Sequence, residues 1–304
     1  MLLDEAELRK LERLSVMSRR AMSGQMQGER RSPKRGQSVE FADYRPYSPG
    51  DDFRRIDWNA YARMERFFIK LFVEEEDQTV HLLVDASSSM NWGSPNKLAY
   101  ALKTAAALGY IALAGLDRVT VTVAGSRNPG SANTGAGVFP PHRGKQSAMA
   151  LFTFLEQSLP AAPKPSAPHG QPAAPLSSQL RNYTAAAPGP LILLSDLFEP
   201  DLQPPISGLQ SRGFDVTLLH LLAPDELDPD LEGDLKLVDV ERGAPVEITA
   251  DYDLLSRYRR ALADWQAEWR AFCAARGITY IPVETTLPLD DLLFAWLRRY
   301  AVIR

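Results

Sequence analysis

The stretch His81-Leu82-Leu83-Val84-Asp85-Ala86-Ser87-Ser88-Ser89-Met90 constrains this chain more than any other. Residues 82–84 form an unbroken apolar run, the pattern of a parallel-sheet strand covered on both faces. The run stops at a carboxylate followed by hydroxyls at alternate positions, Asp85-x-Ser87-x-Ser89. Residues 97–116, rich in alanine and leucine, then read as a helix. In such a strand–loop–helix unit, the loop at the strand's carboxyl end is where open α/β sheets bind ligands. Oxygen-only donors there suit a hard cation such as Mg²⁺, which keeps several waters and takes few protein ligands.

A second stretch repeats the pattern. Leu191-Ile192-Leu193-Leu194-Ser195-Asp196 follows the turn Pro188-Gly189-Pro190 and again ends an apolar run in a hydroxyl and a carboxylate. Laid parallel beside the first strand, it brings Asp196 to the same sheet edge as Asp85. Two carboxylates and two serines then face one point. The plainer reading, that Asp and Ser simply begin loops and cap helices, stays open for each half.

The rest of the chain alternates strand and helix, which predicts a doubly wound parallel sheet. Strands are expected at 67–73, 119–123, 138–139, 215–222 and 278–283, and helices at 3–18, 146–159, 252–275 and 289–300. Residues 235–240 and 245–249 flank Glu241-Arg242-Gly243-Ala244, a hairpin signal. The Pro/Ala-rich stretch from residue 161 to about 188 reads as a flexible loop. Residues 27–36 form a basic, turn-rich loop centred on Arg30-Arg31-Ser32-Pro33-Lys34-Arg35. It reads as a solvated loop or as a contact for phosphates or an acidic protein surface.

Between that loop and the first strand lies an unusual run, Glu40-Phe41-Ala42-Asp43-Tyr44-Arg45-Pro46-Tyr47-Ser48-Pro49-Gly50-Asp51-Asp52-Phe53-Arg54-Arg55-Ile56-Asp57-Trp58, then Ala62-Arg63. With few aliphatics and two proline turns, it predicts an irregular strap anchored by aromatics, its Asp and Arg residues paired. This run resembles the signature of the bacterial family catalogued as domain of unknown function 58, closely from Val39 to Met90 and more loosely to the C-terminus. In that family the signature precedes a von Willebrand A-like domain. Asp85-x-Ser87-x-Ser89 with Asp196 resembles the metal-ion-dependent adhesion site of von Willebrand factor A domains.

The resemblance implies an α/β fold: a doubly wound, mostly parallel sheet, von Willebrand A-like and Rossmann-type, with an N-terminal helix, an irregular strap and a β-hairpin insertion. Residues 1–78 would hold the helix, the basic loop and the strap packed on the main domain, and residues 79–304 the von Willebrand A-like domain. It also implies a metal site in which Ser87 and Ser89 are direct ligands and Asp85 and Asp196 act through waters. The ion would be Mg²⁺, with Mn²⁺ or Ca²⁺ as alternatives, and a partner's carboxylate would fill its open position. A threonine before a helix normally completes that site. The matching place, Arg143-Gly144-Lys145-Gln146-Ser147, holds none. Either Ser147 supplies the oxygen, or Lys145 or Arg143 reaches the carboxylates and replaces the cation. The family context further implies a companion of a MoxR-type AAA+ ATPase, an adaptor in assembly or maturation of other proteins.

Bulk properties narrow the function classes. A net charge of -4 over 304 residues argues against bulk binding to nucleic acid. One cysteine, Cys273, excludes an intramolecular disulfide, fits a reducing compartment and reads as a small buried hydrophobe. No run reaches membrane-span length and the acidic N-terminus lacks a signal-peptide layout, so the expected location is cytoplasmic. An enzyme is the competing class, for instance a Mg²⁺-dependent hydrolase or phosphatase at Asp85 and Asp196. Against it, the second Asp of the haloacid dehalogenase pattern is replaced by Ser87, and there is no Walker loop. His81, His142, His169 and His220 lack zinc-ligand spacing. A triad of Ser87, His220 and Asp196 has no G-x-S-x-G elbow. The sequence thus predicts a non-enzymatic binding module, with a metal-free structural scaffold as a third reading.

Overall fold

The computed structural model describes residues 2–17, 39–48, 51, 53–74, 78–125, 136–159, 174–185, 187–238 and 245–304. The basic loop 27–36, the acidic link 75–77, the hairpin turn 241–244 and the Pro/Ala stretch 161–173 lie outside them. The chain forms two units, Met1–Ser23 with Gln78–Arg304, and Gly24–Asp77. The N-terminal helix thus groups with the larger unit, whereas the sequence boundary set it beside the strap.

That helix, α1 (Glu5–Leu11), starts at a reciprocal cap: Glu7 N–H donates to Asp4 Oδ1 at 2.7 Å, and Asp4 N–H to Glu7 Oε2 at 2.8 Å. It is shorter than the leucine spacing predicts because residues 15–17 run extended against the C-terminus. Ser15 N–H reaches the Arg304 carbonyl at 3.1 Å, and Met17 N–H that of Val302 at 2.8 Å.

The smaller unit is more regular than a strap. β1 (Val39–Pro46) pairs antiparallel with β2 (Phe68–Glu74), and α2 (Trp58–Met64) lies between them in sequence. Asp57 caps α2, accepting from Asn59 N–H at 2.9 Å and Ala60 N–H at 3.2 Å, and also binds Tyr44 Oη at 2.8 Å. Arg45 pairs with Asp51 at 2.9 Å. Tyr61 stacks on Phe67 with centroids 4.4 Å apart. Asp51 thus meets an arginine, while Asp57 holds the local path through Tyr44 and the opening amides of α2.

The larger unit is built on six strands: β3 (Thr79–Asp85), β4 (Arg118–Ala124), β5 (Ala136–Arg143), β6 (Pro190–Ser195), β7 (Asp215–Leu222) and, last in the chain, β10 (Thr279–Glu284). Their order is β10-β7-β6-β3-β4-β5, all parallel except β5. The chain leaves β3 to one side for β4 and β5, then returns to its other side for β6, so the switch point lies between β3 and β6. β8 (Gly233–Val238) and β9 (Pro245–Ala250) form the expected separate hairpin. Both edge strands carry proline, Pro282 in β10 and Pro140-Pro141 in β5, which leaves each with fewer backbone donors.

Helices cover both faces. Val80, Leu82 and Val84 pack with α3 (Lys97–Ala114) and α4 (Ala148–Gln157) into one core, while Leu83, Leu191 and Leu193 enter the other. That second core is closed by α5 (Leu176–Asn182), α6 (Gln203–Ser211) and α8 (Tyr252–Ala274). The short α7 (Pro224–Leu227) follows β7, and α9 (Leu289–Asp291) widens into a π-helical turn, Leu292–Leu297. α5 lies inside the stretch that reads as a flexible loop. It forms because Glu199 accepts from its opening amides, Leu176 N–H at 2.6 Å and Ser177 N–H at 2.9 Å. Cys273 is buried in the second core and its thiol is pushed up to about 12, chiefly by burial.

Gly189, just before β6, passes so close to β3 that an added Cβ would stand 2.2 Å from the Thr79 carbonyl oxygen. Gly189→Ala is expected to cost about 1–3 kcal/mol, the usual range for overpacking. An unchanged urea midpoint would show that the turn can move aside.

Candidate functional site

Each site residue is placed by the end of a buried strand. Asp85 closes β3 opposite Ala124 of β4, and Ser195 closes β6 beside it. The Asp85 carboxylate is buried and bonded on both oxygens: Oδ1 accepts Ser87 N–H at 2.9 Å and Oδ2 accepts Ser195 Oγ–H at 2.6 Å. Ser195 Oγ in turn accepts Leu197 N–H at 2.9 Å, so one hydroxyl ties the two loops together. Ser87 Oγ and Ser89 Oγ meet at 3.0 Å on the half-exposed side of the loop. The loop lies against Gly125, whose φ of +81° suits glycine and whose added Cβ would stand 3.1 Å from Ser87 N. Burial, then the negative charge of Asp196, push the Asp85 carboxyl up to about 6, against the hydrogen bonds from Ser195 and Ser87.

Asp196 is buried next to this pair but belongs to a different contact. Its Oδ2 accepts Lys97 Nζ at 2.8 Å and its Oδ1 accepts Phe198 N–H at 3.3 Å. Lys97 opens α3, a helix end where the dipole disfavours a cation. Its side chain is nonetheless completely buried, and its ammonium also meets Glu226 Oε1 of α7 at 2.5 Å. The other Glu226 oxygen, Oε2, accepts Ala223 N–H at 2.8 Å, and the Phe198 ring lies 4.9 Å from Nζ. Lys97 therefore joins the loops after β3, β6 and β7. Sequence reading missed it; the signal was a lysine at the first position of a mostly apolar helix, where the dipole disfavours a cation.

Ser147 stands apart from the other four predicted residues. β5 is antiparallel, so its end at Arg143 pairs with Arg118, which faces Thr79 at the start of β3. The loop that follows lies at the amino edge of the sheet, a strand length of about 20 Å from Asp85 at ~3.3 Å per residue. There Ser147 Oγ donates to the Arg143 carbonyl at 3.3 Å, Arg143 Nε to the Leu116 carbonyl at 2.5 Å, and Lys145 pairs with Glu12 at 3.0 Å. Neither Ser147 as an oxygen ligand nor Arg143 or Lys145 as a substitute cation is at the Asp85 edge.

His220 is buried under the same edge. Its Nδ1 meets Tyr280 Oη at 2.6 Å, its ring faces Trp265, and burial holds it neutral, with a pKa near 3. Ser87 Oγ is bonded to Ser89, so Ser87, His220 and Asp196 do not form a hydrogen-bonded relay. Two large aromatics frame the edge. Trp92 is 53% exposed and its carbonyl accepts Lys97 N–H at 2.9 Å, while Phe198 is 45% exposed above Lys97 Nζ.

The strand order, the switch point and the Asp-x-Ser-x-Ser loop beside a Ser-Asp strand end define a von Willebrand A-like domain. The profile of the family described as "Protein of unknown function DUF58" matches residues 43–268, and the chain belongs to that family. Among similar proteins are Uncharacterized protein Rv1480 of Mycobacterium tuberculosis (strain ATCC 25618 / H37Rv) and Uncharacterized protein Mb1516 of Mycobacterium bovis. Each is 26% identical over 262 residues, covering 85% of this chain and 78% of that protein. Of solved structures, the conserved hypothetical protein BatB from Bacteroides thetaiotaomicron is similar with a TM-score of 0.40 and 15% identity, covering 74% of this chain and 98% of that one. An aerotolerance-related membrane protein from Bacteroides fragilis gives 0.37 and 16%, covering 68% and 91%. No helix among the described residues is long and apolar enough to cross a membrane.

Proposed function

We propose that this protein is a non-enzymatic, cytoplasmic adaptor that binds another protein through the carboxyl edge of its sheet, with a MoxR-type AAA+ ATPase as the partner. The observation that carries the reading is the edge itself. A half-exposed hydroxyl pair, Ser87 and Ser89, sits on a loop whose carboxylate is bonded on both oxygens, and two exposed aromatics, Trp92 and Phe198, stand beside it. Rigid aromatics around a few fixed polar groups are the composition of binding hot spots. The ATPase enters through the family resemblance alone.

The reading is tested by measuring affinity of the purified chain for a MoxR-type ATPase encoded in the same genome. Trp92→Ala combined with Ser89→Ala is expected to weaken binding by roughly 30-fold, a hot-spot loss of about 2 kcal/mol. Neither side chain is in the core, so the unfolding midpoint should hold. Equal affinity for the wild type and the double variant would retire this edge as the contact.

A further inference from the structure

The von Willebrand A resemblance implies a resident divalent cation, and the described residues do not fit one. Mg²⁺ requires oxygens at 2.0–2.1 Å in an octahedron, usually with one or two carboxylates among them. Here both Asp85 oxygens already accept hydrogen bonds from within the two loops. Both Asp196 oxygens are also engaged, one by an ammonium and one by a backbone amide. The two serine hydroxyls are bonded to each other, and Ser147 lies at the other end of the sheet. Among the described residues no group of three or more His, Cys, Asp or Glu side chains is placed to hold a metal.

We propose that Lys97 is the built-in counter-ion of this site, its ammonium neutralising the carboxylates where the resembled domains place a divalent cation. An ion there would join the loops after the first strand and its switch-point neighbour. Lys97 joins those same two loops, through its own position after β3 and its contact with Asp196 after β6, and adds a third through Glu226. The chemistry suits lysine: a compact point charge with three donors can serve two carboxylates, whereas a planar guanidinium needs a wider slot. The Phe198 face at 4.9 Å completes the enclosure of the charge. A covalently tethered cation also has no concentration dependence, unlike an ion whose stabilisation follows its free level. The edge is therefore assembled whether or not a divalent ion is present, and Lys97 acts as a positioning residue for Asp196 and the Phe198 loop.

The test uses the full chain after chelation, with Mn²⁺ as the probe, free Mn²⁺ read by electron paramagnetic resonance and stability read by urea denaturation. Wild type is expected to show no Mn²⁺ site tighter than millimolar and the same midpoint in EDTA as in Mg²⁺. Lys97→Met frees Asp196 and Glu226 for a cation from solution. It is expected to bind Mn²⁺ at least roughly tenfold tighter than wild type, and its midpoint should rise with added Mn²⁺ or Mg²⁺. Lys97→Met with Glu226→Gln, which keeps the charge balance, is the second variant and should gain Mn²⁺ affinity likewise. A wild-type Mn²⁺ site that disappears in Ser87→Ala/Ser89→Ala overturns the proposal. So does a lack of any response to Mn²⁺ in both lysine variants, folded or not, because a solution ion then cannot take the ammonium's place. No partner enters either arm, so failure of the adaptor reading leaves this result intact.

Discussion

Lys97→Met is expected to lower stability by about 3–5 kcal/mol in chelating buffer, the cost of removing one member of a buried ion pair. The magnitude follows from what is left behind. Asp196 would keep a buried carboxylate with only the Phe198 amide, and Glu226 would lose its charge partner while still capping Ala223. Equilibrium urea unfolding measures the loss directly. The same group also supplies an internal control. Removing both carboxylates along with the lysine, as Lys97→Met/Asp196→Asn/Glu226→Gln, is expected to recover part of the stability, because no uncompensated charge stays buried, although the new amides must still find partners. The three changes are thus strongly non-additive. A single-variant loss below about 1 kcal/mol would mean that the ammonium is solvated in solution.

Replacing His220 is expected to produce the other large effect, a change of sign in the pH response that two buried histidines and two raised carboxyls set. Burial is the main cause that holds His220 near 3 and His81 near 4, from an ordinary value of 6.5. His81 bonds Tyr183 Oη at 2.9 Å and the Ala187 carbonyl at 3.2 Å. Between pH 6.5 and those lowered values the unfolded chain takes up protons that the folded chain refuses, so stability falls as pH falls. At ~1.4 kcal/mol per pKa unit, the two contribute on the order of 5 and 3 kcal/mol. Asp85 works in the opposite direction. Its carboxyl is raised from 3.8 to about 6, so the folded chain holds a proton that the unfolded chain has released, and this group adds stability as pH drops through 6. Its share is on the order of 3 kcal/mol, and Asp117, likewise raised to about 6 chiefly by burial, adds a comparable one. The two pairs nearly offset, so the wild-type urea midpoint should fall only slightly from pH 6.5 to 4.5. His220→Asn, whose amide can still meet Tyr280, removes one histidine contribution and should turn that slight fall into a rise. A variant whose pH dependence matches that of the wild type would refute the buried neutral state of His220.

The sheet was legible in the sequence because β3 and β6 carry unbroken apolar runs and β7 is apolar but for Asp215, Thr217 and His220, the pattern that burial on both faces leaves. The placing of Asp85 and Asp196 at one sheet edge followed from two such runs ending alike, whereas the bond from Ser195 to Asp85 did not. Ser147 was misplaced for a directional reason. Pro140 and Pro141 blur β5 into a short apolar dipeptide, and nothing local reveals that it runs antiparallel and delivers its following loop to the opposite edge. Lys97 was hidden by distance, with partners 99 and 129 residues away that share no motif with it. α6 has no counterpart among the helices read from the sequence; Pro204 and Pro205 occupy its first turn, where an amide has no helical partner to lose.

The prolines on both flanks of the six-stranded sheet carry a consequence for how copies of this protein meet. Flank-to-flank strand addition builds ribbons and filaments from identical subunits, and it needs an uninterrupted ladder of free amides on at least one side. With Pro282 on one flank and Pro140-Pro141 on the other, each flank has fewer amides for such a ladder. The edges of the sheet are thereby less favourable templates for lateral growth than uninterrupted strands would be.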